Sequence, residues 1–132
     1  MAYDTFNADA WFNLFTPDAV FVVGVPGKEP IVQTGEAFRT FWRDRLGNFK
    51  ASGNQRRHLM SNITFLDQTD KAAHVSILGL LTNVQDGRTF TAVTSLNYEA
   101  WFEKTDGIWK IKRWHDLPDS SPEAATTQPS AR

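Results

Sequence analysis

Arg56-Arg57-His58-Leu59-Met60-Ser61-Asn62-Ile63-Thr64-Phe65 is rich in β-branched and aromatic residues and has neither Pro nor Gly. It is followed by the turn cluster Asp67-Gln68-Thr69-Asp70. That pattern reads as a strand over 56–66. Working forward, further β-rich runs cover 71–84, 88–104 and 108–115, separated by Asp86-Gly87 and Asp106-Gly107. Asp-Gly between two such runs is a strong hairpin signal, because both turn residues must take positive φ. Four successive strands joined by three hairpins make an antiparallel meander, and strands this long twist and curve.

Working back, residues 2–15 have helical spacing: Tyr3, Phe6, Ala10 and Leu14 lie near one face, widened by Trp11 and Phe15. Asn7 is also a candidate cap for a second short helix from Ala8, which would break the segment in two. Thr16-Pro17-Asp18 ends it. A β-rich run from Ala19 to Val25, a Pro-Gly turn over 26–30 and a short strand Ile31-Val32-Gln33 follow. Thr34 caps an expected helix over 35–46, with Phe38, Phe41, Trp42 and Leu46 at helical spacing and Gly47 as its stop. Helices collected on one face of a curved antiparallel sheet predict an α+β fold: a cone-shaped mixed sheet of six strands wrapping three N-terminal helices around a pocket.

The 132 residues suit one domain over 1–116, with 117–132, rich in Pro, Ser, Thr and Ala, as a disordered tail. Net charge is −1 and no basic stripe occurs, so no nucleic-acid partner is expected. The absence of cysteine excludes disulfides and thiol nucleophiles and is compatible with a cytoplasmic location. No signal peptide or membrane span is visible. Five Trp and ten Phe are many for this length, which points to an aromatic core or an apolar ligand cavity. Both phases of 71–84 are largely apolar, so the outer sheet face is expected to be covered in a homodimer.

Of three histidines, His58 has the best claim to chemistry, since imidazole exchanges protons near neutral pH. The plainer reading is a polar residue at a strand start. Strict alternation places it with Met60, Asn62 and Thr64, opposite the more apolar Leu59, Ile63 and Phe65; a sheet covered on both faces, or a bulge, would remove that conflict. Tyr3, Tyr98 and Asn62 are candidates for polarising a carbonyl. Trp11, Phe15, Phe41, Trp42, Tyr98 and Trp109 are candidate cavity walls for a small apolar ligand, although aromatics at such spacing are usually core. Arg113 shares phase with Trp109 and Ile111, which makes it a candidate anion partner or an exposed strand-end residue. His74 and His115 have no motif support, and His115-Asp116 lies either at a pocket mouth or at the start of the tail. No metal-ligand spacing or phosphate loop occurs, so neither metal nor other cofactor is expected.

Three stretches carry a resemblance: Tyr3-Asp4 with Trp11 to Phe21, Arg57-His58-Leu59-Met60-Ser61-Asn62, and Asp106-Gly107-Ile108-Trp109-Lys110-Ile111. In this order and spacing the chain resembles the nuclear transport factor 2-like superfamily, in its SnoaL-like and scytalone dehydratase-like branch. The resemblance implies a cystatin-like α+β barrel and a cofactor-independent dehydratase, isomerase or cyclase acting on a polyketide-, steroid- or terpenoid-like molecule. It implies His58 as acid or base and Asp4 as the carboxylate that orients it. Because the same cone also hosts binding modules and oxygenase subunits, a non-catalytic role is the alternative. The chain departs from the family in three places. The first helix is expected to be clipped, Val23 stands where ketosteroid isomerases carry a general-base Asp, and Leu81 or Thr82 where scytalone dehydratase-like enzymes carry a second histidine.

Overall fold

The long strands form where the hairpin signals lie. In the computed structural model, which describes residues 2–121, they are β3 (Asn54–Gln68), β4 (Ala72–Gln85), β5 (Thr89–Thr105) and β6 (Ile108–Pro118). Asp86 and Gly87 take φ 50° and 65°, and Asp106 and Gly107 take 51° and 78°, the all-positive geometry of a two-residue hairpin turn. Ahead of them come α1 (Ala8–Phe12), β1 (Phe15–Val23), β2 (Ile31–Thr34) and α2 (Gly35–Ala51). The sheet order is β2-β1-β6-β5-β4-β3, with β1 parallel to β6 and every other pair antiparallel. This is the expected α+β architecture with a six-stranded mixed sheet.

Several boundaries differ from the sequence reading. Two α-helices, not three, are present among the described residues, because residues 2–6 are consecutive turns. Phe6 sits at φ 57°, and the Asn7 side chain accepts the Ala10 N–H at 3.0 Å, so Asn7 caps a separate short helix. Strand β1 starts at Phe15 rather than Ala19, and its register against β6 shifts between Phe15 and Val20. Pro17 falls inside that irregularity, where a residue without an N–H is tolerated. Helix α2 runs through Gly47 to Ala51. The glycine that ends it is Gly53, at φ 70° just after the C-cap Ser52. Strand β6 runs to Pro118, and Asp119 and Ser120 remain bonded to Ser95 and Thr94 of β5. The expected tail boundary at 116/117 thus falls within an ordered strand; residues 122–132 lie outside the described residues.

Bulges curve the sheet and set which residues face inward. One lies between Ser61 and Thr64, where Asn62 takes φ 51°. It slips the alternation of β3, so His58 lies opposite buried Leu81 on the inner face while Thr64 lies opposite Ser76 on the outer face. A second, between Trp101 and Phe102, sets Trp101 against Arg113 and Phe102 against Ile111. It turns Arg113 outward and Trp114 and Asp116 inward.

Two cores result. Beneath the helices, Phe12, Phe15, Phe21, Phe38 and Trp42 pack with Ala19 and Ile111. On the concave face of the long strands, Val75, Ile77, Leu81, Leu96, Tyr98 and Ala100 pack together. Phe102 and Trp114 touch both cores, and a cavity lies between the two. Gly79 lets the Tyr98 ring lie against β4: a Cβ there would fall 2.5 Å from that ring.

Candidate functional site

The cavity has a volume of about 410 Å³, within the range of small-molecule sites. Its walls are mostly apolar. The polar groups that line it are Tyr3, Arg45, Arg56, His58, Thr94, Tyr98 and Asp116.

His58 reaches this cavity from β3, the edge strand of the sheet. An edge strand has backbone N–H groups with no neighbouring strand to accept them. The turn holding Asp4 covers that edge. Asp4 Oδ2 accepts the His58 backbone N–H at 3.0 Å, and Oδ1 lies 2.6 Å from the ring Nδ1. The Asp4 carbonyl accepts Gln55 Nε2 at 2.8 Å and Arg57 Nη1 at 3.3 Å. The turn is closed by its own bonds, Phe6 N–H to the Tyr3 carbonyl and Asn7 N–H to the Ala2 carbonyl, each 3.0 Å.

Asp4 is 5% exposed. Burial alone would raise its carboxyl pKa, but the ring and backbone bonds from His58, with the nearby His58 and Arg57 charges, outweigh burial and hold it below the ordinary value. An ionised Asp4 therefore accepts Nδ1–H and leaves Nε2 as the ring nitrogen available to the cavity.

Around the imidazole stand two phenols. The Tyr3 ring meets His58 edge-on at 4.8 Å, and the Tyr98 ring lies 6.5 Å away. Burial pushes the Tyr3 phenol up to about 12, against the lowering pull of Arg45 and Arg56. Tyr98 is raised further, by burial and by the Asp116 and Asp4 charges. Both are hydrogen-bond donors at neutral pH. Tyr98 Oη is buried and has no hydrogen-bond partner among the described residues.

Asp116 is partly accessible through the cavity yet deep in the protein. Burial pushes its carboxyl up to about 6, against the Trp114 indole N–H, which donates to Oδ1 at 2.6 Å, and the His58 charge. It therefore takes up a proton at a higher pH than an ordinary carboxyl does.

Of the residues expected at the site, Tyr3, Trp11, Phe15, Trp42, His58 and Tyr98 line the cavity, with Asp4 directly behind His58. Asn62 does not: it occupies the β3 bulge and is exposed. Phe41, 46% exposed, lies on the flank of α2 against the edge of Trp42. Trp109 is near the tip of the last hairpin beneath Lys104 Nζ, beyond the cavity. Arg113 lies on the outer face, 5.8 Å above the Trp101 ring, with its Nε donating to His115 Nε2.

The sequence reading missed Arg45 and Arg56. Arg45 lies seven residues after Phe38 and three after Trp42, within the apolar arc of α2. Arg56 lies two residues before His58, hence on the same face of β3. Asp116 was ambiguous because only the β6 bulge decides its direction. Among the described residues no three His, Asp or Glu side chains are grouped to hold a metal ion, and no helix is long and apolar enough to cross a membrane.

A family model for the SnoaL-like domain matches residues 1–115. No curated protein matches the chain. Among solved structures, ActVI-ORFA from Streptomyces coelicolor superposes with a TM-score of 0.75 at 18% identity, over 91% of this chain and 86% of that one. The beta subunit of an aromatic-ring-hydroxylating dioxygenase, so assigned provisionally, from Novosphingobium aromaticivorans gives 0.73 at 13% identity, over 91% and 81%. An ntf2-like protein with a cystatin-like fold from the same organism gives 0.70 at 21% identity, over 97% and 80%. At these identities the structures share the fold alone, and the family match covers nearly all of the described chain: the protein belongs to the SnoaL-like domain family.

Proposed function

We propose that the protein is a cofactor-independent acid–base enzyme, a dehydratase, isomerase or cyclase, acting on a small apolar molecule of polyketide, steroid or terpenoid type. The observation that carries this reading is the two-point grip of Asp4 on His58, through the backbone N–H at 3.0 Å and ring Nδ1 at 2.6 Å, at the wall of an apolar cavity. His58 Nε2 takes a proton from a carbon next to a carbonyl, or donates one to a departing hydroxyl. Asp4 keeps the ring in the required tautomer and stabilises its charged form. Tyr3 and Tyr98 donate to the oxygen on which negative charge develops, in a site where aromatic walls exclude water. The test is a screen of hydroxylated polyketide-like compounds for turnover, repeated with His58→Ala. Loss of turnover with the fold intact supports the mechanism, and wild-type turnover by the variant rejects it.

The likeness to a dioxygenase beta subunit favours a second reading, a non-catalytic ligand-binding or oxygenase-associated module. In that case ligands bind without turnover. On either reading the outer sheet face pairs with a second copy of the chain, since Leu59, Leu78 and Leu80 stand exposed there side by side. A monomer by light scattering at micromolar concentration would reject the homodimer. A cysteine-free chain also suits the reducing cytoplasm.

A further inference from the structure

The two arginines at the cavity wall are not used by the proton-transfer reading. Arg45 comes from α2 and Arg56 from β3, and both guanidinium groups lie against one ring: their Cζ atoms are 4.9 and 4.3 Å from the Phe49 centroid. Arg45 is also 5.7 Å from the Trp42 ring. Among the described residues neither has a carboxylate within ion-pair distance; the four ion pairs present involve Arg43, His58, His74 and Lys112. Arg56 Nε is buried with no hydrogen-bond partner among the described residues.

Two like charges held close together are unfavourable, and burying an unpartnered guanidinium N–H is costly. The effect is visible in Arg56, whose pKa is lowered by burial and by the Arg45 charge, with Tyr3 opposing. The cavity's own carboxylate does not relieve it. Asp116 is bonded to the Trp114 indole and, among the described residues, forms no ion pair with either arginine. An anion would relieve both costs at once. Guanidinium is suited to it, because its planar fork matches the two oxygens of a carboxylate.

We infer that Arg45 and Arg56, with the Tyr3 hydroxyl beside them, form an anion subsite at one end of the cavity, and that the ligand is a planar apolar molecule bearing a carboxylate. The inference rests on the cavity being the substrate site, and it narrows the substrate class. An acidic group anchored there would orient the apolar body between the aromatic walls and fix which atom meets His58.

Calorimetric titration of the purified protein tests this. The probes are benzoate, 2-naphthoate and anthracene-2-carboxylate, each compared with its neutral carboxamide. At least one carboxylate should bind at least about tenfold more tightly than its amide, and that preference should fall about 10–100-fold in Arg56→Gln and in Arg45→Gln, with amide affinity retained. Arg45 is partly buried on a helix and lacks the buried, unpartnered Nε of Arg56, so its variant serves if Arg56→Gln does not fold. If no carboxylate outbinds its amide, or if the preference survives both substitutions, the subsite is rejected. His58→Ala separates this result from the mechanism: it should keep the carboxylate preference while losing turnover.

Discussion

Among the described residues two histidine–carboxylate pairs occur at the same 2.6 Å, His58–Asp4 and His74–Glu99. They differ in everything around that contact. His58 is on the concave face, with its partner 5% exposed, its backbone N–H bound to the same carboxylate and two phenols within ring-contact distance. His74 is on the convex face, its ring stacked 4.3 Å from Trp101, with both members of the pair more than a quarter exposed. Water competes for the outer pair and screens it. The inner pair is held in place at a cavity wall, where on the proposed mechanism it exchanges a proton with a bound molecule. The contact itself is therefore not the device; the enclosure around it is.

The sharpest way to break this comparison is to remove each imidazole. With a turned-over substrate in hand, His58→Ala should lose roughly 10²–10⁴-fold in kcat. Asp4→Asn should lose less turnover, because it disturbs orientation and not the reacting group. It should also cost about 1.5–3 kcal/mol of stability by chemical denaturation near neutral pH. The sign follows from the depressed Asp4 carboxyl: its contribution is present above the ordinary value of 3.8 and is lost as pH falls through the lower folded value. The difference between wild type and Asp4→Asn should thus shrink in acid.

Asp116 should behave oppositely. Its carboxyl is raised from 3.8 to about 6, so the folded state holds its proton longer than the unfolded chain. Stability from this group is full below 3.8 and is lost as pH rises to about 6. Asp116→Asn keeps an acceptor for the Trp114 indole and removes the buried charge. It should raise Tm at pH 8 but not at pH 4, by an amount corresponding to at most about 3 kcal/mol. The smallest effect belongs to the outer pair. His74→Ala should change stability by less than about 1 kcal/mol and leave turnover within about twofold. A large loss of turnover there would overturn the contrast between the two faces.

Local chemistry explains why so much of the fold was legible. Asp86-Gly87 and Asp106-Gly107 specify their turns by the φ values those residues tolerate, and the strands between them are the β-branched and aromatic runs. Asn7 capped its helix because its side chain reaches the Ala10 N–H within the same turn. Boundaries failed where tertiary contacts overrode local preference. Gly47 did not stop α2: beyond it Phe49 lies against Arg45 and Arg56, and Ser52 bonds back to the Asn48 carbonyl, while Pro17 entered a strand because β1 is irregular there. At the site, Tyr3, Trp11, Phe15, Trp42 and Tyr98 were legible as cavity-wall side chains only in the sense that apolar spacing put them inward; Arg45 and Arg56 obeyed the same periodicity but carried the wrong polarity to be noticed.

By itself the sequence determined the succession of six strands, the hairpins and the residue types able to move a proton. Tertiary structure decided which of them meet. Asp4 and His58 are 54 positions apart, and they touch only because an N-terminal turn folds over the free edge of β3. The bulges at Asn62 and after Arg113's partner Trp101 add one residue to a strand and so invert its alternation, sending His58 and Asp116 into the cavity and Arg113 out of it. A period-two pattern carries no record of where that slip occurs, because the slip depends on how neighbouring strands pair across the curved sheet.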